Sequence, residues 1–132
     1  MRSIRRAWVL AAVLVANIVL ALLLTPLGFE SRPPGTLRPA GYLAIGAVFA
    51  GLLLDLAALA LIFLRRIGWA SRLAIAGSVL FLFPNVVDQT GVFFSVPIPP
   101  AVRMLEYIFI FVLLVTLFLA WTMAREGDTT SG

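Results

Sequence analysis

The chain contains four long apolar runs separated by short segments rich in arginine, proline and glycine. Each run is long enough to cross the hydrocarbon core of a bilayer, which takes about 20 apolar residues in a helix. The pattern therefore predicts an all-α membrane protein, a bundle of four transmembrane helices. The predicted spans cover about residues 7–27, 41–64, 69–87 and 101–123.

The first apolar run follows three arginines, as the apolar part of a secretory signal peptide does. The 18 residues Ala7–Leu24 exceed the about 7–15 residues usual for such a segment, and no small-residue cleavage motif follows. We therefore expect an uncleaved first span that continues to about Leu27.

The segments between the runs predict how the spans are connected. Pro26, Pro33 and Pro39 mark a first loop, and residues 88–100 form a second proline-rich loop at the same end. Residues 65–72 form a short turn at the other end. We expect one domain, residues 1–124, made of two hairpins joined by that turn. The polar residues 125–132 are predicted to be a disordered tail.

The distribution of arginine predicts the orientation in the membrane. Seven arginines lie in the N-terminal segment, the 65–72 turn and the C-terminal tail, and three lie near the two opposite loops. Because positive charge accumulates on the cytoplasmic side, we expect both termini to be cytoplasmic. The three tryptophans fall near that side and the two tyrosines near the other, as interfacial aromatic residues do.

Composition narrows the function classes. Hydrophobic residues make up 62% of the chain and charged residues 12%, with a mean hydropathy of +1.09, and a soluble domain of this size has too much surface to hide such a sequence. The sequence has neither cysteine nor histidine, which excludes thiol chemistry and the commonest general base. The net charge of +4 comes from arginines at span ends, so we expect no nucleic-acid partner. Nothing in the sequence resembles a phosphate-binding loop, a dinucleotide fingerprint, a zinc motif or a catalytic triad, so we expect no metal, no cofactor and no enzymatic activity.

Asp55 is the most informative single residue. It precedes Arg65 by ten residues, or about 15 Å of helix, which places it near the middle of the bilayer. A charge at that depth is costly, so the carboxyl must face the bundle, find a partner or stay protonated. Asn17, eleven residues after Arg6, reaches a similar depth, and we predict an Asn17–Asp55 hydrogen bond. The predicted intramembrane polar cluster consists of Asn17, Asp55, Asn85 and Thr116.

The neighbours of Asp55 along the second span predict which way it faces. Small residues, among them Gly51 and Ala58, share its side of the helix, while Phe49, Leu53 and Phe63 lie on another side. Small residues let helices approach closely, so the Asp55 side should pack on protein. The polar cluster is then either a proton or cation relay, or a hydrogen-bonded clasp that fixes helix register.

A second group of polar residues is predicted at the mouth of the bundle opposite the termini. This outer-mouth cluster consists of Asp88, Gln89, Arg103, Glu106 and Tyr107. Arg103 and Glu106 are three residues apart on a helix and should pair, and Asp88 should reach the same arginine across the loop. The cluster is either a small exterior binding site or gate, or a set of interfacial ion pairs.

Two further patterns concern the loops and the third span. Pro84 frees the carbonyl of Leu80 from its helical hydrogen bond, which either lines a transport site or is satisfied by a neighbouring side chain or water. Residues 29–42 are echoed by residues 93–107 at the level of Phe, Ser, Pro, Arg and Tyr spacing. This echo is either an internal repeat of two hairpins or a shared composition of outer loops.

The segment from Arg65 to Gly77, with Arg65-Arg66, Trp69-Ala70 and Ile75-Ala76-Gly77, follows an acid-bearing second helix. In this it resembles small uncharacterised four-helix bacterial membrane proteins of the DoxX-like kind. The resemblance implies a compact four-helix bundle in the bacterial inner membrane, and it makes Asp55 a suggestive position, because such proteins often carry an acidic residue there. It implies no catalytic residue.

Two functions therefore stay open on the sequence. The first is a non-enzymatic integral membrane protein, an accessory or partner-binding subunit within the lipid bilayer, with a homo-oligomer or a larger membrane protein as its partner. The second is a small oligomeric proton- or cation-coupled transporter that uses Asp55.

Overall fold

The computed structural model describes residues 2–130, and side chains within residues 5–126. The described chain contains four long helices: α1 (Arg2–Ser31), α2 (Pro39–Phe63), α3 (Ile67–Val87) and α4 (Pro100–Thr130). Short 3₁₀ helices at Pro34–Thr36 and Asp88–Thr90 lie in the two connections at one end. All four long helices are long and apolar enough to cross a membrane, which confirms the predicted all-helical chain with four candidate spans.

Two prolines begin helices, and two others lie inside helices that continue past them. Pro39 and Pro100 are the first residues of α2 and α4, where the missing N–H costs nothing and the fixed φ suits a helix. Pro26 was expected to mark a loop, but α1 continues through it to Ser31, and α3 likewise continues through Pro84. Apolar surroundings leave the backbone no water to bond, so both segments keep their remaining helical hydrogen bonds.

The connection between α2 and α3 is shorter than the predicted 65–72 turn. It comprises residues 64–66 only, because Arg65 adopts a left-handed conformation with φ 61° that reverses the chain at once. At the opposite terminus, α4 continues to Thr130, through residues predicted to belong to a disordered tail. An ion pair between Arg6 and Glu126 joins the start of α1 to this part of α4. Residues 131 and 132 lie outside the described part of the chain.

Each helix packs chiefly against two neighbours, in the cyclic order α1, α2, α3, α4, and the α2–α3 interface is the most extensive. One apolar cluster joins the starts of α1 and α3 to the ends of α2 and α4, and a second cluster joins the other halves. Adjacent helices are therefore antiparallel. We call the end that holds the start of α1 and the end of α4 the termini end, and the opposite one the loop end.

The outside of the bundle is apolar. On α2, Phe49, Leu53 and Phe63 expose 61%, 67% and 63% of their surface, whereas Gly51 and Ala58 are buried. This confirms the predicted division of α2 into a protein-facing and an outward-facing side. An apolar outer surface is the reverse of what water requires and is the surface that lipid solvates.

Candidate functional site

A layer of polar side chains crosses the middle of the bundle, with one residue from each helix. We call this set the midplane layer: Asn17, Asp55, Ser78 and Thr116. All four are 0% exposed. On every helix the layer residue is three or four positions from a residue of the first apolar cluster on one side, and equally close to a residue of the second cluster on the other side. All four layer residues therefore lie at the same level along the bundle. The bundle thus holds a polar slab between two apolar halves.

Within this layer the Asn17 amide donates a hydrogen bond to the Thr116 hydroxyl at 3.0 Å. The Thr116 hydroxyl in turn donates to the carbonyl of Val112 at 2.7 Å. The predicted Asn17–Asp55 hydrogen bond is wrong. Asn17 has the expected depth, but its side chain points across the α1–α4 interface, and depth along a helix does not fix the direction around it.

Asp55 instead lies against the α2–α3 interface. A Cβ built on Gly77 would overlap its Oδ1 atom and lie 3.3 Å from the carbonyl oxygen of Gly51, so the absence of a side chain at Gly77 creates the room that the carboxyl occupies. Neither carboxyl oxygen has a hydrogen-bond partner within the described chain, and the same holds for Ser78 Oγ and Asn17 Oδ1. Burying a polar atom without a hydrogen-bond partner costs free energy and is rare in proteins. The midplane layer holds four such oxygen atoms.

The structure divides the predicted intramembrane cluster. Asn17, Asp55 and Thr116 lie in the midplane layer, but Asn85 lies nearer the loop end, where its amide donates to the carbonyl of Phe81 at 2.8 Å. Ser78 of the midplane layer was not predicted. Its position seven residues after Ser71, on the same face of α3, was the available signal, because a buried helix face repeats at that interval.

The outer-mouth cluster has a different centre from the one predicted. Arg32, which was not predicted to take part, forms a bidentate ion pair with Asp88, with Nη–O distances of 3.0 and 2.8 Å. Both residues are buried, at 4% and 3% exposure, and the guanidinium lies 4.1 Å from the centre of the Phe94 ring. The chain turns sharply after Ser31, the last residue of α1, and this carries Arg32 back over the bundle.

The predicted pairing of Arg103 with Glu106 and Asp88 is wrong. Arg103 and Tyr107 are exposed on α4, whereas Glu106 is buried on the face that also presents Val102 and Phe109 to the bundle. Successive residues in a helix are about 100° apart, so residues three apart differ in direction by about 60°. Glu106 therefore faces the bundle while Arg103 faces outward.

Glu106 is instead held by the end of α3. The Gln89 amide donates to Glu106 Oε1 at 3.1 Å. Gln89 directly follows Asp88 in the chain, so Glu106 lies beside the Arg32–Asp88 ion pair. We call this group the lid cluster: Arg32, Asp88, Gln89 and Glu106.

The two connections at the loop end, residues 32–38 and 88–99, meet above this cluster, and we call them the lid. An antiparallel bridge between Leu37 and Phe94 joins them through two backbone hydrogen bonds of 2.7 and 2.8 Å. The lid therefore covers the loop end of the bundle with paired backbone rather than with a loose loop.

Beneath the lid lies a cavity of about 350 Å³, within the range of small-molecule sites. Leu22 of α1 and Phe49 of α2 line it and are also 58% and 61% exposed. The cavity therefore opens sideways between α1 and α2, the loosest neighbouring pair of helices. Its walls are apolar, and its polar end is formed by Asn85 and three members of the lid cluster, Arg32, Asp88 and Glu106. Among the wall residues are Ala21, Ala44, Val48, Leu52, Phe93 and Phe109.

Neither polar site has the composition of a multivalent metal centre. Among the described residues no group of three or more His, Cys, Asp or Glu side chains comes together. The midplane layer offers one carboxyl with neutral oxygens, and the lid cluster offers two carboxyls already engaged by an arginine and an amide. No protein family, curated protein or solved structure matches this chain.

Proposed function

We propose that this chain is a non-enzymatic integral membrane protein that binds one uncharged amphiphile, taken up from the lipid phase, in the cavity between α1 and α2. The observation that carries the proposal is the form of the cavity, which has apolar walls, a single polar end and a sideways opening. A ligand with an apolar body and one small polar head matches this arrangement, because binding pockets are mostly apolar with a few placed polar groups.

The route of entry follows from the lid. Paired backbone and the buried Arg32–Asp88 ion pair cover the loop end, while the opening toward the side is bordered by exposed apolar residues such as Leu22 and Phe49. A molecule dissolved in water meets the closed lid, whereas a molecule dissolved in the bilayer meets the opening. The expected ligand is therefore a membrane-soluble compound.

The polar end sets the nature of the head group. The guanidinium of Arg32 is balanced by Asp88, and the Gln89 amide is the partner of Glu106, which is 6% exposed. Burial favours the uncharged form of a carboxyl that has no counter-ion of its own. The Nε atom of Arg32 is a buried donor without a partner in the described chain. A full charge on the ligand would have no counter-ion there and would remain costly to bury. A hydroxyl or carbonyl head group is thus favoured over a carboxylate or an ammonium group.

The experiment compares photoreactive probes in liposomes that contain the purified protein. Three probes share one long alkyl chain bearing a diazirine, and they end in a hydroxyl, a carboxylate or an ammonium group. We expect the alcohol to label peptides of α1 and α2 most strongly. Val48→Trp, which fills the cavity, should lower this labelling to background. Val79→Trp is the matched control, because Val79 is 53% exposed on α3 and does not line the cavity.

The proposal is refuted if the three head groups label alike, or if the two tryptophan variants behave alike. Either result would mean that α1 and α2 are labelled by ordinary contact with lipid and not through a binding site.

A second candidate is a small oligomeric proton- or cation-coupled transporter that uses Asp55. It is favoured by one observation, a fully buried carboxyl whose two oxygens have no partner in the described chain. Ionisable residues inside spans commonly mark ion pathways. Four helices enclose little space, so a dimer is expected. Proton flux into liposomes should be lost in Asp55→Asn with the fold retained, and an unchanged flux refutes this candidate.

The membrane setting and the partners are part of the same proposal. We place both termini in the cytoplasm of a bacterium and the lid on the outside of its inner membrane, supported by the arginines at the termini end. Kinship with DoxX-like four-helix proteins is supported by the four-helix bundle and the central carboxyl. A larger membrane protein or a second copy remains the proposed partner, and the mass of the complex extracted in mild detergent tests it.

A further inference from the structure

The midplane layer has more hydrogen-bond acceptors than donors directed at them. The amide of Asn17 is directed at Thr116 and the hydroxyl of Thr116 at a backbone carbonyl. The carboxyl of Asp55, the hydroxyl of Ser78 and the side-chain oxygen of Asn17 are left without partners within the described chain. Four oxygen atoms on three helices thus lie at one level, and the Ser78 hydroxyl and the second amide hydrogen of Asn17 are the donors left for them.

Among the described residues no basic side chain lies at this level to balance the carboxyl. Along the three helices that share the layer with α2, the nearest arginines are Arg6 on α1, Arg72 on α3 and Arg125 on α4. The closest of these, Arg72, is six residues from Ser78, or about 9 Å along the helix. On α4, the titratable residues Tyr107 and Glu106 are nine and ten residues from Thr116. A negative charge on Asp55 would therefore have no counter-ion among the described arginines.

The packing beside Asp55 indicates that the carboxyl is held in place. Gly77 leaves room for it between α2 and α3, where any larger side chain at this position would displace it. The carbonyl oxygen of Gly51 lies next to the same surface and has a second lone pair available beyond its helical hydrogen bond. Carboxyl, hydroxyl, amide and carbonyl oxygens are the groups that hold H⁺ or Na⁺ inside membrane proteins.

We propose that the midplane layer is a binding site for one monovalent cation, H⁺ or Na⁺, held by the carboxyl of Asp55 with Ser78 and Asn17 as neutral oxygen partners. A single carboxylate neutralises a single positive charge, whereas a divalent ion would leave a net charge buried. This cation site rests on the second candidate function, the transporter that uses Asp55. The two can be tested separately, because the layer can bind an ion without transporting it.

Infrared spectroscopy of the protein in liposomes tests the site directly. The difference between wild type and Asp55→Asn isolates the Asp55 carboxyl, since the signals of Asp88 and Glu106 cancel. In choline chloride we expect the carbonyl stretch of a protonated carboxyl, lost in Asp55→Asn. If Asp55→Asn does not fold, aspartate labelled with carbon-13 at the side-chain carboxyl and introduced at position 55 alone, by chemical ligation, identifies the same band in an otherwise unchanged protein.

Repeating the measurement in NaCl distinguishes the two cations. Conversion of the protonated band to a carboxylate band at constant pH shows that Na⁺ occupies the site, and an unchanged band shows that the proton is its cation. A carboxylate band in both salts, with no response to Na⁺ or to acid, overturns the proposal. If the band behaves as proposed but liposomes show no flux, the site stands and the transporter candidate fails.

A pair of serine variants tests the neutral partners. Ser78→Ala removes an oxygen of the layer and should shift the carbonyl stretch of Asp55 to higher frequency. Ser71→Ala is the matched control, because Ser71 is equally buried on α3 but its hydroxyl donates to the carbonyl of Ile67 at 2.9 Å. Equal spectra for the two variants would remove Ser78 from the site.

Discussion

Removing the guanidinium of Arg32 should destabilise the protein more than any other single arginine substitution at the loop end. In Arg32→Met the buried carboxyl of Asp88 loses both of its 2.8–3.0 Å hydrogen bonds and its counter-ion. Deleting one partner of a buried pair costs about 3–5 kcal/mol. The folding equilibrium constant should therefore fall by about two to four orders of magnitude.

The natural control is Arg38→Met in the same connection. Arg38 is exposed, and its guanidinium donates a long 3.5 Å hydrogen bond to the carbonyl of Gly91. Exposed charges of this kind contribute about 0–1 kcal/mol. Both variants lose one positive charge and gain one methionine, so the comparison isolates burial and pairing. The free energy of unfolding is measured in mixed micelles by titration with a denaturing detergent, followed by circular dichroism.

A double variant examines the reason for the loss. Arg32→Met combined with Asp88→Leu removes the whole pair, and replacing a buried ion pair by apolar side chains is often close to neutral. The double variant should thus be more stable than Arg32→Met alone. The reasoning is refuted if Arg32→Met costs no more than Arg38→Met, or if adding Asp88→Leu makes the protein less stable still.

Three further outcomes are expected. Gly77→Ala should lower the free energy of unfolding by about 1–3 kcal/mol because its Cβ overlaps the Asp55 carboxyl, whereas Gly68→Ala, with no atom within 4 Å of its Cβ, should be neutral or stabilising in the same titration. Thr116→Val should cost about 0.6 kcal/mol, the average for one hydrogen bond between membrane helices, and a cost above about 2 kcal/mol would contradict a single bond to Asn17. In whole cells a membrane-impermeant maleimide should label Ser95→Cys but not Gly68→Cys, and the reverse pattern would invert the proposed orientation.

The site was only partly accessible to sequence reasoning, for reasons that particular residues make clear. The depth of Asp55 and its inward direction were predicted from its distance to Arg65 and from the small residues on its side of α2. Its partner was not, because Asn17 at a similar depth turns toward Thr116 instead. Helical rise is a property of one helix, whereas the choice of partner depends on how each helix is rotated about its axis in the bundle.

At the outer mouth, too, the sequence predicted which residues lie close together but not how they pair. Asp88, Gln89 and Glu106 were predicted to lie together, and they do, but the arginine that joins them is Arg32 and not Arg103. Arg32 is 56 residues from Asp88 in the chain. Only the pairing of the two loops in the lid brings these residues together, and no local spacing indicates it.

By itself the sequence determined the four helices, their ability to span a membrane and the division of α2 into buried and outward-facing sides. These depend on local apolar content and helical periodicity, which each segment carries alone. The tertiary structure decided which polar groups meet, which oxygens of the midplane layer stay unpartnered and where the cavity lies. Those features depend on the rotation and spacing of helices relative to one another, which are set by the packing of all four together.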